Sequence, residues 1–265
     1  MKNDAPIGIF DSGLGGLTVL KNIQEFLPNE NYIYFGDTAH LPYGSKSSSS
    51  IIDYSNSIIN FLINKRVKAI IIACNSASSV AKKSLEKQVD VPIFEVITPA
   101  VQNAVQITTN NRIGIIGTDT TIKSKIYSTK ISNIDQSINT KEIACPLFVP
   151  IIEEGLESYD FLSEIVQLYL RPMIEFDIDT LILGCTHYPI IKYQLEKLLS
   201  HNIKFVTSGN PLAKSLKKYL TDNNQHNISN PHPVEFYVSD SKEKFKALGS
   251  KFLKSEIKNV QLIQL

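Results

Sequence analysis

The sequence predicts an α/β fold of two similar domains, each built on a mainly parallel sheet flanked by helices. Three observations carry that expectation. Short apolar runs ending in Gly, Ser, Thr, Asn or Asp alternate with longer segments of helical period. The second half of the chain repeats the order of events in the first. Each half also places a cysteine, Cys74 or Cys185, at the carboxyl end of its third strand. Strands alternating with helices in this way build parallel sheets covered on both faces, the flavodoxin-like arrangement.

In the first half, Ile7-Gly8-Ile9-Phe10 reads as a strand ending at Asp11-Ser12-Gly13, and Tyr32-Ile33-Tyr34-Phe35 as one ending at Gly36-Asp37-Thr38. Ala69-Ile70-Ile71-Ile72-Ala73 ends at Cys74-Asn75-Ser76, and Val91-Pro92-Ile93-Phe94-Glu95-Val96 follows. Between them, Leu17, Leu20, Ile23 and Leu27 share one helical face, as do Ile51, Tyr54, Ile58, Phe61 and Leu62. The polar run 45–50, SKSSSS, reads as a loop leading into that second helix. The turn Gly13-Leu14-Gly15-Gly16 lacks the final glycine of a dinucleotide fingerprint and reads as a tight strand-to-helix turn.

The second half opens with Ile113-Gly114-Ile115-Ile116, which ends at Gly117-Thr118. Glu142-Ile143-Ala144-Cys145-Pro146-Leu147 fills the second-strand slot, Thr180-Leu181-Ile182-Leu183-Gly184 ends at Cys185-Thr186, and Ile203-Lys204-Phe205-Val206 closes the set. The tail 211–265 holds a helical stretch, a strand candidate at 235–238 and a helix at 242–253. We expect it to return and complete the first domain. The division is therefore 1–97 plus 210–265 for the first domain and 98–209 for the second, with the site in the cleft between them.

Bulk properties narrow the function. With 265 residues, 43% of them apolar, the chain can bury a sizeable core. A net charge of +1 offers no electrostatic footprint for nucleic acid. No apolar run approaches the roughly 20 residues of a membrane span. The opening MKNDAPIGIF enters the first strand within a few residues, so no signal peptide is expected. Three cysteines, an odd count without C-x-x-C, make no disulfide framework. A cytoplasmic protein that binds neither nucleic acid nor membrane is expected.

In open parallel sheets ligands gather at the carboxyl ends of strands. Those ends carry Asp11, Ser12, Asp37, Cys74, Asn75, Ser76, Thr118, Cys185, Thr186 and His187. Helix starts beside them offer free N–H groups to a carboxylate, and several of the hydroxyl residues double as N-caps. Cys145, within its strand and before Pro146, reads as inert packing. Cys74 and Cys185 sit instead at functional ends, where a helix N-terminus lowers a thiol's pKa and favours thiolate. Cys185-x-His187 alone is too little for a zinc site, and no metal is expected. A Cys–His hydrolase would leave the duplicated cysteine unexplained. Two equivalent thiols on facing domains suggest a nearly symmetric proton exchange at one carbon. Asp37 reads either as a cap or as a substrate-side residue, and His201 and His232 as solvated surface.

Five segments, in order, carry a family resemblance. Gly8-Ile9-Phe10-Asp11-Ser12-Gly13-Leu14-Gly15-Gly16-Leu17-Thr18 resembles the opening motif of glutamate racemases. Tyr34-Phe35-Gly36-Asp37-Thr38 with Pro42-Tyr43-Gly44, and then Ala73-Cys74-Asn75-Ser76-Ala77, are similar to the next two. Val149-Pro150 with Glu153 and Gly155, and finally Gly184-Cys185-Thr186-His187-Tyr188-Pro189, complete the series, with a further similar stretch at 236–252.

The resemblance implies a cofactor-independent racemase that interconverts L- and D-glutamate, with Cys74 and Cys185 as the two acid/base residues. Asp11 would assist Cys74 and His187 would assist Cys185, with Glu153 a carboxylate near the histidine. Asp11, Ser12, Tyr43, Gly44, Asn75, Ser76, Thr118, Thr121, Thr186 and His187 would bind the substrate. By family, the protein would be a homodimer supplying D-glutamate to peptidoglycan and so to the cell wall and cell shape. Ser76 stands where Thr is more usual, His40-Leu41 where an Arg is common, and Thr207 where an Asp is frequent. These departures touch loop contacts rather than proton transfer. Because the chain begins at the first strand, the activation by a cell-wall precursor known for some members is not expected. The rival readings are a racemase for aspartate or another acidic amino acid, a two-lobed binding module without chemistry, and a cysteine hydrolase.

Overall fold

The structure, a computed structural model, describes residues 3–199 and 202–265, so the expectation for His201 lies outside the described residues. Among the described residues ten strands form two sheets. They are β1 (Ile7–Asp11), β2 (Tyr32–Gly36), β3 (Ala69–Ile72), β4 (Ile93–Glu95), β5 (Arg112–Gly117), β6 (Asn139–Ala144), β7 (Thr180–Gly184), β8 (Lys204–Val206), β9 (Glu235–Val238) and β10 (Val260–Leu262). The first sheet runs β10-β9-β2-β1-β3-β4 and the second β6-β5-β7-β8, with parallel pairing throughout. Two parallel sheets flanked by helices are the expected α/β class.

The central strands read as continuous apolar runs because both of their faces are covered. IGIFD, YIYFG, AIII and TLILG are buried along their whole length. Helix Leu17–Phe26 buries Leu17, Val19, Leu20 and Ile23, and helix Ser48–Asn64 starts at the Ser47 cap, whose Oγ accepts from Ser50 N at 3.2 Å.

Two elements depart from expectation, both at sheet edges. β6 occupies 139–144 rather than 142–147, so Cys145 lies just past the strand and not within it. An edge strand buries only part of its surface, and Asn139, Lys141 and their neighbours satisfy that without an apolar run. Pro146, which has no N–H to donate, stands just beyond the pairing that Cys145 N closes with the Gly117 carbonyl at 2.9 Å. β10 went unread because two of its three residues are exposed. Its parallel partner β9 pairs in turn with β2, so the tail joins the first sheet. His232 is exposed, and among the described residues no helix is long and apolar enough to cross a membrane.

At the end of the first sheet away from the cysteines, a buried ion pair ties the tail down. Lys68 Nζ meets Glu30 Oε2 at 2.6 Å and the carbonyls of Asn3 and Gln225 at 2.7 and 2.8 Å. Glu30 Oε1 in turn accepts from Asn227 N at 3.0 Å and from His226 Nδ1 at 3.2 Å. Removing one partner of such a pair strands a charge in the interior. Glu30→Ala is therefore expected to cost about 3–5 kcal/mol of unfolding free energy, read from urea denaturation.

Candidate active site

The strand ends of the two sheets meet across one cavity. Ser12, Gly13, Leu41, Pro42, Tyr43, Gly44, Cys74, Asn75 and Ser76 line it from the first sheet's loops. Thr118, Val149, Glu153, Cys185, Thr186 and His187 line it from the second's. Both duplicated cysteines face the same space.

Cys74 leaves β3 in an extended conformation and caps the short helix Asn75–Val80, its sulfur accepting from Ala77 N at 3.5 Å. Its thiol also reaches Ser12 Oγ at 3.7 Å. The expectation that a helix start would favour thiolate fails here. Burial, followed by the Asp11 charge, pushes the Cys74 thiol up to about 12 against the smaller opposing pull of Ala77 and Ser12. Cys74 is a thiol at neutral pH.

Cys185 has different company. His187 Nδ1 lies 3.8 Å from its sulfur, and His187 Nε2 lies 3.1 Å from Glu153 Oε1. Burial opposes a charge on His187, yet its bonds to Cys185 and Glu153 and their charges carry it up to about 10. The ring is an imidazolium between a sulfur and a carboxylate. Burial raises the Glu153 carboxyl, but His187 and Lys244 together hold it below its ordinary value.

Asp11 is fully buried behind this wall. Its Oδ2 accepts from Gly13 N at 2.9 Å and its Oδ1 from Thr186 Oγ1 at 3.4 Å. Burial raises its pKa against the charge of His187 and the donors of Gly13, Gly16 and Thr186. Neither Asp11 nor Thr121 lies on the cavity wall. Thr121 Oγ1 stands one layer back, 3.1 Å from Thr118 Oγ1, which itself lies 2.9 Å from Ser76 Oγ. Ser76 thus keeps a hydroxyl bond across the cleft despite its missing methyl.

Asp37 turns out to be neither a cap nor a cavity residue. Its carboxylate accepts from Tyr43 Oη at 2.5 Å, Ser239 Oγ at 2.7 Å and His40 Nδ1 at 2.9 Å, which braces the loop carrying Tyr43 and Gly44. His40 also stacks on Tyr54 at 4.0 Å between ring centroids. Asn75 Nδ2 donates to Tyr127 Oη at 2.8 Å, while its buried Oδ1 has no partner among the described residues.

Glycine is required where the two sides come closest. A Cβ on Gly15 would stand 2.2 Å from Thr186 Oγ1 and 2.5 Å from His187 Nδ1, and one on Gly44 would stand 2.5 Å from Thr118 Cβ. Thr18 Oγ1 completes this contact by donating to Thr186 O at 2.9 Å. Leu41, Pro42, Val149 and Gly13 line the cavity without having been singled out as site residues. Apolar and glycine lining has no chemical signature, and only the position of Gly13, Pro42 and Val149 within the quoted motifs marked them. Cys145 is fully buried and its thiol is pushed up by burial and by Cys185. Among the described residues no group of three or more His, Cys, Asp or Glu could hold a metal ion.

Comparison with known proteins agrees with this arrangement. Residues 7–215 match the family model described as Asp/Glu/Hydantoin racemase. A protein named glutamate racemase 3, from Caldanaerobacter subterraneus subsp. tengcongensis, is 44% identical over 255 residues, 96% of this chain and 93% of that protein. The crystal structure of glutamate racemase from Francisella tularensis in complex with D-glutamate superposes with a TM-score of 0.94 at 38% identity, covering 99% of this chain and 98% of the other. A glutamate racemase isoform from Bacillus anthracis gives 0.95 at 31%, again over 99% and 98%. Two parallel sheets meeting at paired cysteines, aligned end to end with such relatives, place this chain in the Asp/Glu/hydantoin racemase family.

Proposed function

We propose that the protein racemises glutamate without a cofactor, by a two-base mechanism in which Cys74 and Cys185 work from opposite faces of the α-carbon. The observation that carries this reading is that both thiols line one cavity, each beside its own ionisable neighbour. The α-hydrogen of an amino acid is far less acidic than a thiol. The barrier must therefore fall through positioning, exclusion of water and dipoles aimed at the carboxylate that gains enolate character.

One turnover needs a base on one side and an acid on the other. Cys185 has the His187 imidazolium 3.8 Å from its sulfur as a proton partner, while Cys74 holds its proton. The Cys185 thiolate breaks the Cα–H bond and forms S–H. The Cys74 S–H bond then breaks and a new Cα–H bond forms on the opposite face. The reverse direction exchanges the roles, with Asp11 as the proton partner of Cys74 and His187 as that of Cys185. The raised proton affinity of Asp11 suits that task. Glu153 orients the His187 ring. The unpartnered Asn75 Oδ1 suits the substrate ammonium, and Ser12, Tyr43, Gly44, Ser76, Thr118 and Thr186 the carboxylates. Thr121 acts from behind through Thr118.

Glutamate as substrate is supported by the names of the relatives and by the bound D-glutamate of the Francisella tularensis structure. Supply of D-glutamate to peptidoglycan, a cytoplasmic location and a homodimer are proposed on the family resemblance. The division into 1–97 plus 210–265 and 98–209 belongs to the same reading, and the pairing of β9 with β2 supports it.

Incubation with L-glutamate in D2O without cofactor is expected to replace the α-proton by deuterium, seen by NMR, with loss of optical rotation. Absence of exchange would refute the racemase reading. Cys74→Ala and Cys185→Ala should each lower racemisation by at least about 10²–10⁴-fold, and full activity in either would remove the two-base assignment.

The His187 proton is gained on folding, since its pKa rises from 6.5 to about 10. Its contribution to stability is complete below 6.5 and is lost as pH rises through about 10. The kcat/KM profile should accordingly fall on the alkaline side through that limb. Gly15→Ala, which drives a methyl into Thr186 and His187, is expected to lower kcat about a hundredfold by misplacing the Cys185 partner. Unchanged kinetics would show that the contact is not needed.

A further inference from the structure

Glu153 belongs to two cavities. It lines the main one beside His187, and it also lines a second formed with Leu14, Thr38, Leu41, Ser241, Lys244 and Phe245. Ser241 and Lys244 are exposed, so the mouth of this second space lies on the tail helix Lys242–Leu253. Lys244 is the one cation lining it, and it is anchored at that rim. Its Nζ lies 3.0 Å from Glu154 Oε1, the residue next to Glu153 in the chain. The remaining lining side chains are apolar or hydroxyl-bearing, so Lys244 and Glu153 are the two charged side chains that line this space.

Resting on the racemase reading above, we propose that Lys244 is a positioning residue for the Cys185 half of the site. Anchored on Glu154, it holds Glu153 as the carboxylate that accepts His187 Nε2–H and so aims Nδ1 at Cys185.

Two charges change when Lys244 is removed. The cation facing Glu153 disappears, and the Glu154 carboxylate loses its partner and adds a like charge next door. Both changes make Glu153 easier to protonate. The protonated acid no longer offers His187 a charged acceptor, and the ring loses what fixes its orientation. The ionisable groups around Glu153 are His187 on one side, with Cys185 beyond it, and Glu154 and Lys244 on the other. His187 stays protonated across the acidic range, and of the two buried site carboxyls, Asp11 and Glu153, only Glu153 shares a cavity with Lys244, so its titration is the one that reports on that lysine. The side chain of Lys244 is half exposed, so solvent and salt weaken its field and the effect is moderate.

The test is the pH dependence of racemisation by Lys244→Gln. The acidic limb of kcat/KM should move to higher pH, lowering activity about two- to five-fold at pH values on that limb while leaving the neutral plateau within about two-fold. Lys244→Arg should restore the limb. The double variant Lys244→Gln/Glu154→Gln should recover part of the shift, because it removes the carboxylate left unpaired. A uniform loss across all pH values, a limb that does not move, or a double variant no better than the single would each overturn the proposal. Failure of the wild-type protein to racemise glutamate at any pH would instead strike the parent reading.

Discussion

The site depends on a steric permission. The turn from β1 into its helix must pass so close to Thr186 and His187 that there is no room for a methyl group at Gly15. Gly44 grants the same permission against Thr118 on the other side of the cavity. Because these two backbones can touch the facing loops, the thiols of two separate sheets come to share one small space. Hydrogen bonds follow from that approach, as when Thr18 donates to the Thr186 carbonyl and Ser76 meets Thr118. A side chain at either glycine would force the loops apart before any chemistry was arranged.

Within that space the duplication stops at the sulfur atoms. One thiol is isolated among Ser12, a helix start and a buried carboxylate, and burial keeps it protonated. The other is joined to an imidazolium and a carboxylate in line. The two halves of the cavity are therefore unlike although their sulfur atoms are duplicated. Two chemically identical groups are thus given different neighbours, a hydroxyl and a helix start for one and an imidazole for the other.

The central strands were legible in the sequence because each is buried on both faces and so reads as an unbroken apolar run. The cysteines were legible because a strand end is where parallel sheets place ligands. What escaped was governed by edges and by distance. β6 and β10 meet solvent along much of their length, so hydropathy marks neither boundary. The protonation of Cys74 could not be read either, since it depends on how completely the thiol itself is buried and then on the charge of Asp11 from another strand. Asp37 resisted for the same reason, because its partner Ser239 comes from the far end of the chain.

The return of the tail to the first sheet has a consequence for how the molecule is made. β2 pairs with β9 across roughly two hundred residues of intervening chain, a separation of the kind that slows folding. The second sheet is, in effect, an insertion within the first. As the polypeptide leaves the ribosome, β1 to β4 emerge early with one edge unprotected, and the whole inserted unit must appear before β9 can cover it. During that interval β2 is an open template for other chains. The short strand β10 then lies outside β9, placing a brief and mostly exposed segment at the finished border.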